Sequence, residues 1–390
     1  MVNDGAPLRK PSPSLAEVAL SFLKLGTVAF GGPAAHIAMM EEEFVRKRGW
    51  LTQEEFLDRL ATANVIPGPS STELAIFIGY GQRGWPGLIV AGCCFIIPAA
   101  ILVTLFAAAY VRYGSLPRMA GMLYAIKPVV IAIIVQALGK LGRTAIKTKF
   151  LFVLALLAAL LSFMSVNPLA VLAVAAGFAG LARWRQQANM RASTFSVGGL
   201  GKGTAAMLSV AAAGLAIPVS LTRLFLSFLK IGSVVFGSGY VLLAFLRAEF
   251  VAKLHWLNER QLIDAVAVGQ FTPGPVFTTA TFIGYVVAGV PGALVATVGI
   301  FLPGFLLVAV SGPLIPGIRR SALASAMLDG VVAGSLALMA AVCWELGRAA
   351  IVDWITLAIL VISAIALWRF RINSAWLIIA AGVLGWLAKS

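Results

Sequence analysis

Charged side chains are scarce in this chain, at 12% of 390 residues, and only 15 residues are acidic. Soluble domains carry about 25% charged residues. A soluble fold of this length cannot hide a composition that is 60% hydrophobic. We therefore expect lipid to solvate most of the surface, with room for about a dozen spans of about 20 residues each.

Cysteine and histidine are also scarce. Cys93, Cys94 and Cys343 lie in apolar segments without a C-x-x-C pair, and only two histidines are present. This excludes a disulfide scaffold and a zinc site. The run 198–204 (GGLGKGT) lacks the glycine spacing of a phosphate-binding loop, and no strand pattern precedes it. We expect no cofactor, no metal, no ATPase and no enzyme active site.

The net charge is +15. Nucleic-acid binding would be one explanation, but the Lys and Arg residues lie in short loops between apolar runs, where cytoplasmic loops carry them. The charge also favours an anionic substrate, without proving one. The expected partners are membrane lipid and a small anion, and no nucleic acid; a homodimer is left open.

Apolar segments alternate with short polar loops along the whole chain. The stretch 184–203 is the only polar one long enough to be a linker. The segments are 15–40, 57–80, 87–111, 119–138, 150–164, 167–183, 204–219, 221–247, 262–285, 291–312, 323–347, 354–367 and 374–388.

The chain contains an internal duplication. Residues 22–69 align without a gap on residues 228–275, and 19 of the 48 positions are identical. After a one-residue gap, FIGY at 77–80 matches FIGY at 282–285. Shared apolar composition does not reproduce matched charges, tryptophans and Pro-Gly-Pro at one offset, so we infer two copies of one helical module.

The relative orientation of the copies depends on segment 204–219. If this segment crosses the membrane, 18 of the 27 basic residues outside spans lie on the same side of the membrane as the N-terminus and 9 lie on the opposite side. If it does not cross, the two numbers are 14 and 13. Only the first arrangement shows a positive-inside bias. The sequence therefore predicts an all-α polytopic protein of about 13 spans with broken helices, in the inner membrane, with its N-terminus in the cytoplasm. The modules are 1–183 and 220–390, joined by 184–219 and related as an inverted repeat.

The first motif interrupts an apolar segment at Phe30-Gly31-Gly32-Pro33. Proline suits the first turn of a new helix, whose free amides form a ready anion site near His36. The second copy has Gly237 and Ser238 at this break and Leu242 in place of the histidine. Close helix packing explains small residues equally well. For His36 itself, the alternative to a role in the anion site is a buried histidine whose ring nitrogens are hydrogen-bonded within the protein.

The second motif is Pro-Gly-Pro at Pro67, Gly68 and Pro69, and again at Pro273, Gly274 and Pro275. Non-helical backbone at membrane depth is tolerated only inside protein or facing water, and matched breaks in two repeats indicate a transporter site. The alternative is a structural kink. We interpret Glu73 as the carboxylate of a helix capping box. The hydroxyls expected to bind the anion are those of Ser70, Ser71, Thr72, Thr278 and Thr279.

Two matched lysines, Lys24 and Lys230, each lie about 10 residues into a span. A buried ammonium at that depth costs at least ~2.5 kcal/mol and needs a partner or a function. A dianion between the copies would neutralise both. Snorkelling, or pairing with Asp58 and Asp264, is the alternative.

Two copies of FLK-[LI]-G-x-V-x-F-G, followed by E-F-V, W-L, P-G-P and F-I-G-Y, resemble the chromate transporter family in its long, two-domain form. The resemblance implies export of chromate from the cytoplasm and chromate resistance, with sulfate as a look-alike substrate. It implicates Gly31, Gly32 and Pro33, the two Pro-Gly-Pro turns, and Gly237. A sulfate or other small-anion transporter or channel working in another direction is the alternative, and a membrane-embedded enzyme is disfavoured.

Overall fold

The computed structural model describes residues 13–30, 32–114, 116–164, 166–192, 219–235, 241–311, 321–370, 372 and 374–388. These ranges consist of helices joined by short turns and contain no strand. The predicted site residues Gly31, Gly237 and Ser238 lie outside them, and so do residues 204–218. The 13-span topology and the inverted relation of the copies therefore stay predictions.

The described part of the first half contains seven α-helices. A π-helical turn, Glu42–Lys47, follows α2 directly. The helices are α1 Leu15–Val28, α2 Gly32–Glu41, α3 Gln53–Ala63, α4 Ser70–Tyr113, α5 Pro117–Ala145, α6 Lys149–Phe163 and α7 Pro168–Ala192.

The second half repeats this order. A π-helical turn, Arg247–Lys253, follows α9, and a 3₁₀ turn, Val276–Thr278, precedes α11. The helices are α8 Leu221–Val234, α9 Leu242–Leu246, α10 Glu259–Phe271, α11 Thr279–Ser311, α12 Ala322–Ala350, α13 Trp354–Arg369 and α14 Ser374–Ala388.

Local sequence explains where several helices start and stop. Capping boxes begin α1 at Ser14, α3 at Thr52 and α10 at Asn258, each with the residue three positions on bonding back. The chain leaves α1 after Val28 and re-enters a helix at Gly32, whose φ of +77° favours glycine. The predicted apolar segment 15–40 is therefore two short helices and not one span.

Helix α4 is a helical hairpin. Arg83 and Gly84 have non-helical backbone, with φ of −140° and +59°. A Cβ placed on Gly79 would lie 2.3 Å from the carbonyl oxygen of Gly87. In a continuous helix these residues would be about 12 Å apart, so the segments on either side of the break fold back on each other. Segment 70–82 is roughly 20 Å long, shorter than the ~30 Å hydrocarbon core.

Helix α11 has the same hairpin at the matched place. Its break falls at Ala288 and Gly289, where Gly289 has φ of +63°. Gly284 and Gly292 make the close contact, with 2.2 Å between a Cβ on Gly284 and the oxygen of Gly292. Both halves therefore place a short half-helix directly after Pro-Gly-Pro, which matches the prediction of broken helices.

Apolar helices make this a membrane-embedded, multi-pass protein. Within the described ranges, four stretches are long and apolar enough to cross a bilayer: Ser70–Tyr113, Met119–Arg143, Val276–Val310 and Ala322–Ala350. Three shorter apolar helices are α6, α13 and α14. Large apolar side chains such as Leu156, Ile362 and Trp376 are exposed on these three helices. Lipid can solvate such a surface, whereas water cannot do so favourably.

The two halves interlock. Helix α4 packs against α11, α5 packs against α13 and α14, and α12 packs against α6 and α7. Glycines allow the close approach: a Cβ on Gly330 would lie 2.5 Å from the oxygen of Ala175, and one on Gly385 would lie 2.3 Å from that of Gly121. The region between α4 and α11, where the Pro-Gly-Pro turns lie, is consequently enclosed by both halves.

Candidate functional site

Each Pro-Gly-Pro turn is hydrogen-bonded to the opposite half. The amide of Gly68 donates to the carbonyl of Val235 at 2.6 Å, and the amide of Gly274 donates to the carbonyl of Ala29 at 3.0 Å. Ala29 and Val235 are the matched residues that end α1 and α8. The structure therefore brings both turns and both first-helix ends into one region between the halves.

These contacts revise which amides are available to a ligand. The amides of Gly68 and Gly274 already have backbone partners, and proline has no N–H. The amides of Ser70 and Ser71 make no hydrogen bond within the described ranges, and the same holds for the matched Val276 and Phe277. Four donors without a partner among the described residues therefore follow the two turns, as is typical of helix starts.

The predicted hydroxyls differ between the halves. Thr278 donates to the carbonyl of Pro275, and Thr279 donates to that of Val276, both at 2.8 Å. In the first half, the buried hydroxyl of Thr72 has no partner among the described residues, and Ser71 contacts His36. The second-half threonines are therefore bonded to their own backbone, whereas the hydroxyl of Thr72 is not.

His36 links the two turns. It is buried, with Nε2 3.1 Å from the carbonyl oxygen of Ala29 and Nδ1 3.3 Å from the hydroxyl of Ser71. A carbonyl can only accept, so Nε2 carries the proton and Nδ1 accepts from Ser71. The ring of Phe95 makes a T-shaped contact with the imidazole, at 5.6 Å between centroids. The predicted break residues Gly32 and Pro33 begin the helix that carries this histidine.

Glu73 does not cap its helix. Pro69 occupies the cap position without a side-chain hydrogen bond, and the predicted capping box is wrong. The carboxyl is fully buried, and neither oxygen has a hydrogen-bond partner in the part of the chain that the structure describes. The capping pattern fails because the proline turn, and not a serine, precedes the first helical residue.

Lys24 and Lys230 lie on exposed faces of α1 and α8. Lys230 pairs with Glu249 at 3.2 Å, and Lys253 pairs with the same carboxylate at 2.7 Å. Burial raises the pKa of Glu249, but the ion pairs with Lys253 and Lys230 outweigh it and hold the pKa below its ordinary value. The ammonium of Lys24 has no partner in the described ranges.

An open pocket of about 280 Å³ surrounds Lys230. Its lining includes the cations Arg223 and Lys253 beside Glu249. Both matched lysines are exposed, whereas the turn glycines Gly68 and Gly274 are buried. The alternative pairing of Lys230 with Asp264 is wrong, because Glu249 takes that place.

Asp264 belongs to a buried ion cluster between the halves. Its carboxylate lies 3.2 Å from the ammonium of Lys127 on α5 and accepts a hydrogen bond of 3.0 Å from Tyr110 on α4. The sequence suggests Asp264 only as an alternative partner for a matched lysine. The signal was present, since opposite charges within apolar segments are expected to pair.

The described residues offer no group of three or more side chains that could hold a metal ion. What the arrangement does offer is a buried region with unpaired amides from both halves, one histidine and one unpaired acid. Backbone amides at helix starts attract small anions.

The sequence profile of the family described as Chromate transporter matches residues 16–181 and again residues 222–386. The Chromate transport protein of Cupriavidus metallidurans is 32% identical over 383 residues, covering 96% of this chain and 93% of that protein. The Probable chromate transport protein of Synechococcus elongatus is 31% identical and covers 96% of both chains. The Chromate transport protein of Pseudomonas aeruginosa is 30% identical, covering 97% of this chain and 93% of its own. No solved structure matches this chain.

Proposed function

Because the chain belongs to the chromate transporter family, we propose that it carries chromate out of the cytoplasm across the inner membrane and so confers chromate resistance. The members of this family are transporters, so the chain is a transporter and not an enzyme. Its two modules, residues 1–183 and 220–390, are proposed to face each other as an inverted repeat, with the N-terminus in the cytoplasm.

The oxyanion is proposed to bind where the two Pro-Gly-Pro turns meet the opposite half. The observation that carries this proposal is the pair of reciprocal hydrogen bonds, Gly68 to Val235 and Gly274 to Ala29. Substrate sites of inverted-repeat transporters lie near the midplane, between the repeats, at the ends of broken helices.

The proposed donors are the unpaired amides beyond each turn. Those of Ser70 and Ser71 begin the half-helix of α4, and those of Val276 and Phe277 precede that of α11. A tetrahedral dianion has four oxygens, and N–H groups at helix starts carry the positive end of the helix dipole. The hydroxyl of Thr72 is a further donor on the first-half side.

Lys24 and Lys230 are proposed to draw the anion toward this region. Each lies five residues before the carbonyl, Ala29 or Val235, that receives a turn amide, which is about 7.5 Å along a helix. Their exposed positions favour electrostatic attraction over direct coordination.

The membrane potential alone is a sufficient driving force for the export of a dianion. A charge crossing 100 mV is worth ~2.3 kcal/mol, so a dianion leaving a negative interior gains ~4.6 kcal/mol. At ~1.4 kcal/mol per decade, export runs against a gradient of more than about a thousandfold. The membrane potential would favour uptake only if about three protons entered with each dianion, because the net charge moved inward would then be positive.

Sulfate is the second candidate substrate, since it shares the shape and charge of chromate. The test is radiolabelled chromate flux in oriented vesicles at clamped potential, with sulfate as competitor. The proposal predicts flux toward the periplasmic side that rises with the potential. Absence of chromate flux at any potential would refute it, and block by sulfate at equal concentration would place sulfate among the substrates.

A further inference from the structure

Glu73 is the one fully buried carboxylate in the described ranges whose two oxygens both lack a hydrogen-bond partner. It lies in the first turn of α4, three residues after the Ser70 amide. The neighbouring hydroxyl of Thr72 is buried and unpaired as well. Unsatisfied polar atoms of this kind are rare in native proteins and call for an explanation.

The carboxyl lies between the two halves. A Cβ on Gly68 would come within 2.0 Å of its Oε1, so the acid rests against the turn glycine. A Cβ on Gly304, in α11 of the other half, would lie 3.8 Å from the same oxygen. Glu73 therefore borders the region proposed to bind the oxyanion.

No charged side chain in the part of the chain that the structure describes compensates this acid. The described part of α11 contains no Asp, Glu, Lys, Arg or His, and its one other titratable group is Tyr285. None of the titratable groups on the other helices that pack against α4 forms an ion pair or hydrogen bond with Glu73 in the described ranges. They are Glu17 and Lys24 on α1, His36 and Glu41 on α2, Glu54, Glu55, Asp58 and Arg59 on α3, and Glu259, Arg260 and Asp264 on α10.

An ionised carboxylate without a partner is very unfavourable inside a protein, so such a group takes up a proton instead. An ionised Glu73 would also repel a dianion a few ångströms away, whereas the neutral acid can donate a hydrogen bond to it. The position matched to Glu73 in the second half is Thr278, whose hydroxyl is bonded to Pro275. The acid is thus a feature of the first half alone.

We propose that Glu73 is a proton-binding site and that the oxyanion binds only when this carboxyl is protonated. The inference rests on the proposed function and adds the proton as a second ligand of the same site. Binding of one proton turns the carboxylate into the acid, whose O–H then faces the anion.

The test is chromate affinity of the purified protein in detergent from neutral to alkaline pH, measured by calorimetry. Over the alkaline part of this range chromate is a dianion, so its own titration does not enter there. For wild type, affinity falls by up to ~tenfold per pH unit once Glu73 in the free protein begins to ionise. Glu73→Gln keeps the shape and cannot ionise, so it binds chromate at neutral pH with an affinity that stays flat. Glu345→Gln, at an exposed carboxylate on α12, follows wild type.

Three outcomes overturn the inference. If wild type and Glu73→Gln bind chromate with the same pH dependence, the inference fails while the proposed function stands. Loss of chromate binding by a folded Glu73→Gln at neutral pH also overturns it, because a neutral isostere should bind. If wild type itself binds no chromate, the proposed function fails and the inference fails with it.

A second measurement covers the case in which Glu73→Gln does not fold. Infrared spectra of wild type report protonated carboxyl groups through their C=O stretch. The inference predicts such a band that disappears at alkaline pH and persists to higher pH when chromate is added. A band unaffected by chromate would contradict it.

Discussion

The ring of His36 and the amide of Gly274 both donate to the carbonyl oxygen of Ala29, at 3.1 and 3.0 Å. The two donors come from opposite halves of the chain, and the acceptor ends α1. Through the other ring nitrogen of His36, the same set of contacts reaches Ser71 beside the first turn. A continuous hydrogen-bonded path therefore connects the two Pro-Gly-Pro turns.

We predict that His36→Leu, which installs the residue of the second copy, weakens this path. Ser71 loses its partner and Ala29 loses one of two donors, which should lower the free energy of unfolding by about 1–3 kcal/mol. Chromate flux should fall by at least ~tenfold, the equivalent of ~1.4 kcal/mol at the barrier. Thermal unfolding of purified protein and vesicle flux measure the two effects.

The control is Leu242→Met at the matched position of the second half, a volume-conserving change expected to cost less than about 1.5 kcal/mol. Chromate flux at the wild-type level in His36→Leu would show that the histidine has no role in transport.

The turn glycines should not tolerate a side chain. Gly68 and Gly274 have φ of +135° and +88°. A Cβ on Gly274 would lie 2.6 Å from that of Ala99, and one on Gly68 would meet Glu73. Strain in this backbone region costs about 1–3 kcal/mol, so each Gly→Ala change should lower the unfolding temperature.

Gly142→Ala is the matched control, because a Cβ there meets nothing within 4 Å in the helix α5. It should be neutral or stabilising by about 0.5–1 kcal/mol, since alanine is the better helix former. Equal behaviour of all three variants would show that the turns are not sterically constrained.

The pair of Lys127 and Asp264 should show strong coupling. Their side chains are 15% and 4% exposed, so Asp264→Leu alone leaves a buried ammonium unpaired, at a cost of about 3–5 kcal/mol. Lys127→Met combined with Asp264→Leu removes both charges and should recover much of that loss. The coupling energy follows from the free energies of unfolding of the two single variants and the double variant. If the effects of the single changes simply add up in the double variant, the two side chains do not form a direct ion pair.

The two exposed lysines should affect how fast chromate arrives. Changing Lys24 and Lys230 together to Gln should raise the KM for chromate by about tenfold at low salt, with kcat retained. The difference should shrink as salt screens the charges. Lys149→Gln, at the exposed start of α6, is the control. Complete loss of transport in the double variant would instead place the ammonium groups in the binding site.

Sequence alone predicts the helical class, the duplication and the breaks, because glycine and proline restrict the backbone locally. It places a boundary between segments 57–80 and 87–111, and the structure has its hairpin break there at Arg83 and Gly84. It cannot predict that Gly68 bonds to Val235, because a backbone carbonyl more than 160 residues away has no side-chain signal.

The buried polar residues show the same limit of prediction from sequence. Glu73 fits a capping pattern by spacing, yet the structure leaves its carboxyl without a partner. Lys127 and Asp264 lie in different modules, so only the interlocking of the halves brings them to 3.2 Å. Local patterns thus predict elements, whereas the pairing of buried polar groups depends on packing between distant helices.

The central claim is that a small dianion binds between the two turns, at the amides that follow them. Chromium scatters X-rays anomalously, so crystals grown with chromate can locate the bound ion directly. The account predicts an anomalous peak within hydrogen-bond distance of the amides of Ser70 and Ser71 on one side and Val276 and Phe277 on the other. A peak confined to the pocket around Lys230, or none between the halves, would contradict it.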